Sequence, residues 1–178
     1  MNLERIVDRT VRYKRKYPNA VIILDTSFLP EIPYYRGKYL LNSKIKKRKR
    51  RKSGKYPIII TSGVNKEIQY YSKHRKKDFL IPAKLNDFIY NYLKPEIIAY
   101  RPTNKEIKLI QRGIYRTCPK FKREVDKISW ADLEQLGYAM HLSYNFRKPT
   151  ILLTEDRHIY GPANWLNKKG WNVYAPKV

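Results

Sequence analysis

Four acidic side chains lie at positions where several strand ends of a sheet could bring them together. Asp25 directly follows a short apolar run, and Asp156 comes three residues after another. Glu67 lies in the opening turns of a predicted helix, and Asp132 opens the helix that leads towards Asp156. In an open parallel sheet, ligands bind at the carboxyl ends of the strands. We therefore expect Asp25 and Asp156 at that edge, with Glu67 leaning over it and Asp132 brought in by the tertiary fold.

Several carboxylates in one cleft repel each other strongly unless a cation lies between them. Ligation by oxygen alone suits Mg²⁺ or Mn²⁺. Such ions, when bound to a phosphate, can activate water and stabilise the leaving oxygen. The pattern therefore predicts a divalent-cation site that acts on a phosphate-bearing substrate.

Each acid also has a plainer interpretation. Asp25 taken alone is a typical loop or cap residue, and Asp132 can serve as the acidic member of a capping box with the preceding serine. Glu67 alone is typical of a solvated helix position. Glu155 stands beside Asp156 and could equally be the acid that faces inward. The joint pattern, rather than any one residue, favours the cation site.

The elements that must position these residues alternate between strand and helix. Hydrophobic patterns, caps and breakers predict strands at 20–24, 57–61, 97–100, 150–154 and 171–174, and helices at 2–16, 63–75, 82–93, 103–117, 129–141 and 162–169. Such alternation predicts an α/β fold with a mostly parallel sheet covered on both faces. We expect residues 1–178 to form a single domain, with an irregular basic insertion at about 31–56.

The positive net charge of the chain indicates what kind of molecule it binds. The chain has 39 basic and 15 acidic residues and a net charge of +24, which favours binding of nucleic acid. Basic residues are concentrated in one run that is expected to contact phosphates: Lys46, Lys47, Arg48, Lys49, Arg50, Arg51 and Lys52. The alternative is a disordered, purely solubilising loop. An anionic membrane surface is a further rival, weakened by the lack of a long basic amphipathic helix.

Other features argue for a cytoplasmic protein. No apolar run reaches the roughly 18 residues that a membrane span needs, and the first residues do not resemble a secretory signal. Cys118 is the single cysteine, which excludes an internal disulfide and a zinc site built from several thiolates.

The motifs at residues 24–27, 61–67, 129–139 and 153–156 together resemble those of the PIN-domain nucleases. The resemblance implies a three-layer α/β/α sandwich, endonuclease activity that is usually directed at RNA, bound Mg²⁺ or Mn²⁺, and a homodimer. It assigns metal binding and catalysis to Asp25, Glu67, Asp132 and Asp156, with Ser27, Thr154 and Glu155 assisting. Compact VapC-type toxins of the family are shorter than this chain, which leaves an antitoxin partner open.

Three functions remain open at this stage: an endoribonuclease, a structure-specific DNA nuclease, and a non-catalytic nucleic-acid-binding protein whose acids are structural. A haloacid-dehalogenase-type phosphatase is disfavoured because it needs a second aspartate where this chain has Ser27. A receiver domain is disfavoured because it would need an adjacent acidic pair near the first strand end, and the sequence has none there. A P-loop nucleotide-binding protein is disfavoured because the chain contains no P-loop motif.

Overall fold

Five short parallel strands form the centre of the molecule in a computed structural model, which describes residues 12, 15–28, 58–73, 90, 95–118 and 128–176. The strands are β1 (Val21–Leu24), β2 (Ile58–Thr61), β3 (Glu96–Ile98), β4 (Thr150–Leu153) and β5 (Val173–Tyr174). Their order is β3-β2-β1-β4-β5, and every neighbouring pair is parallel. The predicted parallel sheet is confirmed.

Four helices and one 3-10 turn accompany the sheet in the described part of the chain. The turn (Thr26–Phe28) follows β1, and the helices are α1 (Ser62–Lys73), α2 (Asn104–Thr117), α3 (Trp130–Phe146) and α4 (Arg157–Lys168). None of these helices is long and apolar enough to cross a membrane. The basic insertion at 31–56 and most of the predicted helices at 82–93 and 2–16 lie outside the described residues.

Both faces of the central strands β1 and β4 are buried, as expected for parallel strands covered on each side, whereas the edge strand β3 is largely exposed. On one face, side chains such as Ile23 and Leu152 belong to a core shared with α2, α3 and α4. On the other face, Ile22 and Ile60 are fully buried outside that core. Helix α1, which contacts β2, β3 and the 3-10 turn, covers part of this second face. The fold is a three-layer α/β/α sandwich, as expected.

The chain order creates a crevice between β1 and β4. From β1 the chain continues to β2 on one side, whereas from β4 it continues to β5 on the other. Leu24 pairs with Leu153, and the amide of Asp25 donates to the Leu153 carbonyl at 3.0 Å. The two strands therefore end together at a topological switch point, where open α/β sheets bind ligands.

Helix caps determine where the site-bearing helices begin. A capping box of Thr103 and Glu106 is present at the start of α2. Helix α4 begins at Arg157, five residues before the predicted start at 162, because the Asp156 side chain caps it by accepting from the His158 amide at 2.7 Å. Proline therefore lies inside α4 rather than at its first position.

Gly63 permits a close approach between the start of α1 and the start of α3. A Cβ at Gly63 would lie 2.8 Å from the Ala131 Cα atom. The buried Glu134 joins the same segments, since it accepts from the Gly63 amide at 2.6 Å and the Ser62 hydroxyl at 2.7 Å. It also accepts from the Tyr100 amide at 2.9 Å. This contact positions two of the four acids, one on each helix.

We expect Gly63→Ala to destabilise the protein by about 1–3 kcal/mol, because the added methyl would overlap backbone that cannot rotate away. Urea unfolding measures the change. Lys66→Ala, at an exposed position of the same helix, is the control and should stay within about 0.5 kcal/mol. Equal stability of Gly63→Ala and the parent protein would contradict the tight approach of the two helices.

Candidate metal centre

Asp25 is held at the end of β1 by donors that carry no charge. It is 5% exposed. One oxygen accepts from the Ser27 hydroxyl and from the Thr154 hydroxyl at 2.8 Å. The other accepts from the Gln135 side-chain amide at 2.9 Å. The structure therefore places Ser27 and Thr154 beside Asp25, and the carboxylate is oriented without being neutralised.

Glu67 projects from α1 towards the same strand end. Its side chain accepts a hydrogen bond from the Thr26 hydroxyl, next to Asp25 in the chain. Burial raises the pKa of Glu67, the Thr26 hydrogen bond opposes this, and the negative charges of Asp25 and Asp156 raise it further. Glu67 is thus within electrostatic reach of acids from two other segments.

Asp132, in the first turn of α3, has the most perturbed carboxyl group of the cluster. Burial is the main cause that raises its pKa from 3.8 to about 7, a hydrogen bond with Ser129 opposes the rise, and the charges of Asp156, Asp25 and Glu67 add to it. Its backbone amide also donates to the Ser129 hydroxyl at 3.1 Å. Asp132 therefore takes part in the cap of α3 and also belongs to the acidic cluster.

Asp156 joins the cluster from the loop between β4 and α4. Oxygen and nitrogen atoms of Asp132, Asp156 and His158 lie within 4.8 Å of one another, and His158 Nδ1 is 3.6 Å from Asp156 Oδ1. The Glu155 side chain is exposed, while its amide donates to the Ser27 hydroxyl at 3.0 Å. Of the two neighbouring acids, Asp156 therefore occupies the position that faces another carboxylate of the cluster.

Asp132 lies within electrostatic reach of the other three acids that the sequence singled out, but the side chains whose ligand atoms lie within 4.8 Å of one another are Asp132, Asp156 and His158. The four acids come from the end of β1, from α1, from the start of α3 and from the cap of α4. Across the described ranges, the one ion pair that any of these four forms is that of Asp156 with His158. In a chain of net charge +24, a cluster of acids with no lysine or arginine partner among the described residues is poised to attract a different cation.

The donor set fits a hard divalent cation. Carboxylate oxygens are the ligands that Mg²⁺ and Mn²⁺ prefer. Positive charge among the acids would relieve both the burial cost and the repulsion that raise the pKa values of Glu67 and Asp132. His158 adds an imidazole nitrogen to the compact group that it forms with Asp132 and Asp156.

Sequence reasoning missed two residues that support the centre. Gln135 is fully buried and binds Asp25, and its own carbonyl oxygen has no hydrogen-bond partner among the described residues. Glu134 fixes α1 against α3. His158 also lies against Asp156, and its position two residues after that aspartate is the signal that the sequence offers for this contact.

The basic run expected to contact phosphates, residues 46–52, lies outside the described residues. Its assignment to nucleic-acid binding stays a prediction.

We expect the cation-free protein to lose stability as the pH rises from about 4 to about 7. Over that range the native state holds a proton on Asp132 that the unfolded chain has already released, because the pKa is raised from 3.8 to about 7. Above the raised pKa, Asp132→Asn should therefore be more stable than the parent by about 2–4 kcal/mol, with a flatter pH dependence. The raised pKa of Glu67 also lowers the stability as the pH rises, so the stability of Asp132→Asn should still fall somewhat with pH.

Urea unfolding in the presence of a chelator, repeated at several pH values, measures this effect. Glu96→Gln removes an exposed carboxylate from β3 and should leave the slope unchanged. An Asp132→Asn protein whose stability falls as steeply as that of the parent would refute the buried, crowded state of this carboxyl.

Comparison with known proteins gives a distant structural likeness. No protein-family model matches the chain, and no curated protein matches its sequence. Among solved structures, the chain is similar to the one described as the crystal structure of PAE2754 from Pyrobaculum aerophilum. The identity is 12%, the alignment covers 84% of each chain, and the TM-score is 0.41.

Proposed function

We propose that this protein is a divalent-cation-dependent endonuclease that hydrolyses phosphodiester bonds, with RNA as its substrate. The observation that carries the proposal is the convergence of Asp25, Glu67, Asp132 and Asp156 at the switch point of a parallel sheet. Three of these charges raise the pKa of the fourth, Asp132. Clusters of acids with perturbed pKa values are enriched at functional sites.

The four acids would hold Mg²⁺ or Mn²⁺. A bound ion of this kind lowers the pKa of water and stabilises negative charge on the leaving oxygen of a phosphate ester. The chain's own contribution is to present carboxylates at a fixed place, where none of the described lysines or arginines pairs with them. Ser27, Thr154 and Gln135 hold Asp25, so its oxygens need no reorganisation when the ion arrives.

Two supporting features act on the other acids. The Thr26 hydroxyl holds Glu67, and the α3 cap places Asp132 opposite Asp156 and His158. The acids come from segments far apart in sequence, and each is fixed to secondary structure rather than to a long loop. That arrangement suits a reaction in which positioning and electrostatic stabilisation carry most of the rate enhancement.

The substrate class follows from charge, and the choice of RNA follows from the family resemblance. A net charge of +24 attracts a polyanion over a distance. The proposal places the chain among the PIN-domain nucleases, which its motifs resemble. A cytoplasmic location and a homodimer come from the sequence and the resemblance, and both stay predictions.

Cleavage assays test the proposal. We expect the protein to cut a labelled RNA hairpin in Mg²⁺ or Mn²⁺ and not in a chelator. Asp25→Asn and Asp132→Asn should each reduce the rate by at least about 100-fold, because the stabilisation supplied by the ion is worth several kcal/mol. Binding of the same hairpin in the chelator should persist in both variants.

Glu96→Gln is the matched control, since it removes one carboxylate from the same sheet away from the cluster. Undiminished cleavage by Asp25→Asn would contradict the proposal. Faster cutting of a matched DNA hairpin would replace RNA by DNA as the substrate. Salt-sensitive binding without any heat of cation binding would instead indicate a non-catalytic nucleic-acid-binding protein.

A further inference from the structure

A basic cleft lies between α2 and α4, apart from the acidic cluster. Its volume is about 790 Å³. None of the described side chains that line it is acidic, and four are basic: Lys108, Arg112, Arg116 and Lys169. All four of these basic residues are exposed.

The packing of the two helices defines the direction of the cleft. Gly161 faces Thr117 near the start of α4, whereas Gly113 faces Pro162 and Trp165 further along. The helices are therefore antiparallel. Helix α4 starts at the edge of the sheet that carries the acids and extends for roughly 18 Å at the usual rise per residue. Trp165 and Lys169, which line the cleft from this side, lie in the second half of α4 and at its C-cap, away from Asp156 at its start.

The charges in the cleft are arranged as a stripe. Lys108, Arg112 and Arg116 recur every four residues along α2, so their side chains project from the same face of the helix. Like charges at this spacing repel each other and destabilise a helix. No acid occurs in α2 after Glu106 or anywhere in α4 to offset them. A phosphate backbone would supply the missing negative charge.

Two aromatic side chains complete the lining. Tyr115 is 48% exposed beside the basic stripe, and Trp165 is half-buried on the facing helix. Aromatic rings in a positively charged groove stack on unpaired bases and have little to offer a fully paired duplex. A lipid surface, in contrast, is bound by a protruding amphipathic face rather than by a concave cleft.

We propose that this cleft binds single-stranded nucleic acid, with phosphates on the basic stripe and a base on Tyr115 or Trp165. The proposal extends the proposed function, because the cleft would hold a strand whose continuation reaches the acidic cluster. Binding in the cleft nevertheless requires neither a cation nor cleavage, so it can be measured independently.

The test is fluorescence anisotropy of a labelled single-stranded RNA in a chelator over a series of salt concentrations. The cleft variant is Lys108→Gln/Arg112→Gln/Arg116→Gln. The control variant is Arg101→Gln/Lys105→Gln/Lys148→Gln, which removes three exposed charges outside the cleft. Both triple variants lower the net charge equally, and circular dichroism verifies that both are folded.

We expect the cleft variant to bind about 10-fold more weakly than the control variant. Its slope of log affinity against log salt should fall by about two, since each lost phosphate contact removes about 0.7 from the slope for a single strand. Equal losses in the two triple variants would overturn the proposal. So would unchanged RNA binding in a cleft variant that loses binding to phosphatidylserine vesicles.

A second variant tests the preference for single strands. Tyr115→Leu should weaken single-strand binding about fivefold or more through lost stacking, while leaving binding of a duplex of equal length unchanged. Equal weakening for both ligands would overturn the assignment to single strands.

The two proposals can fail separately. If the protein has no nuclease activity but the cleft variant alone loses RNA binding, the cleft proposal is supported and the nuclease proposal is contradicted. Cation-dependent cleavage by a protein whose two triple variants bind alike would preserve the enzyme and remove the cleft.

Discussion

Burial of carboxylates at the end of a parallel sheet, to which their mutual repulsion adds, is the constraint on which the rest of the structure depends. Folding moves Asp25, Glu67, Asp132 and Asp156 from distant places in the chain to one crevice, where burial and neighbouring charge raise the pKa values of two of them. A fold stabilised by only about 5–15 kcal/mol tolerates few such groups. These acids would be tolerated if a divalent cation binds among them in the active protein.

The surrounding structure offsets the repulsion without neutralising it. Neutral donors orient Asp25, and the buried Glu134 binds backbone amides on two other segments, away from the competition for a cation. The buried strands β1 and β4 provide the apolar burial that stabilises the crevice between them. The basic side chains whose burial is described are instead exposed, and the α2–α4 cleft concentrates several of them. In the two proposals, the acidic cluster would bind the cation and the basic cleft would bind the nucleic acid.

The sequence was sufficient to predict the sheet, because short apolar runs bounded by breakers allow few other structures. It also placed Asp25 and Asp156, which follow from strand ends alone. The roles of Gln135 and Glu134 could not be predicted, since their partners at Asp25 and Gly63 are distant in sequence and nothing local marks a helical glutamine as buried. The start of α4 was misjudged for a related reason: a proline was given more weight than the capping aspartate before it.

The most direct test of the central claim is anomalous diffraction from a crystal of the full chain soaked in Mn²⁺. The account predicts a peak among the carboxylates of Asp25, Glu67, Asp132 and Asp156, with metal–oxygen distances of about 2.0–2.4 Å, the range for such hard cations, and the loss of that peak in Asp132→Asn. A saturated soak that places the ion elsewhere, while these four side chains keep the same positions, would contradict it.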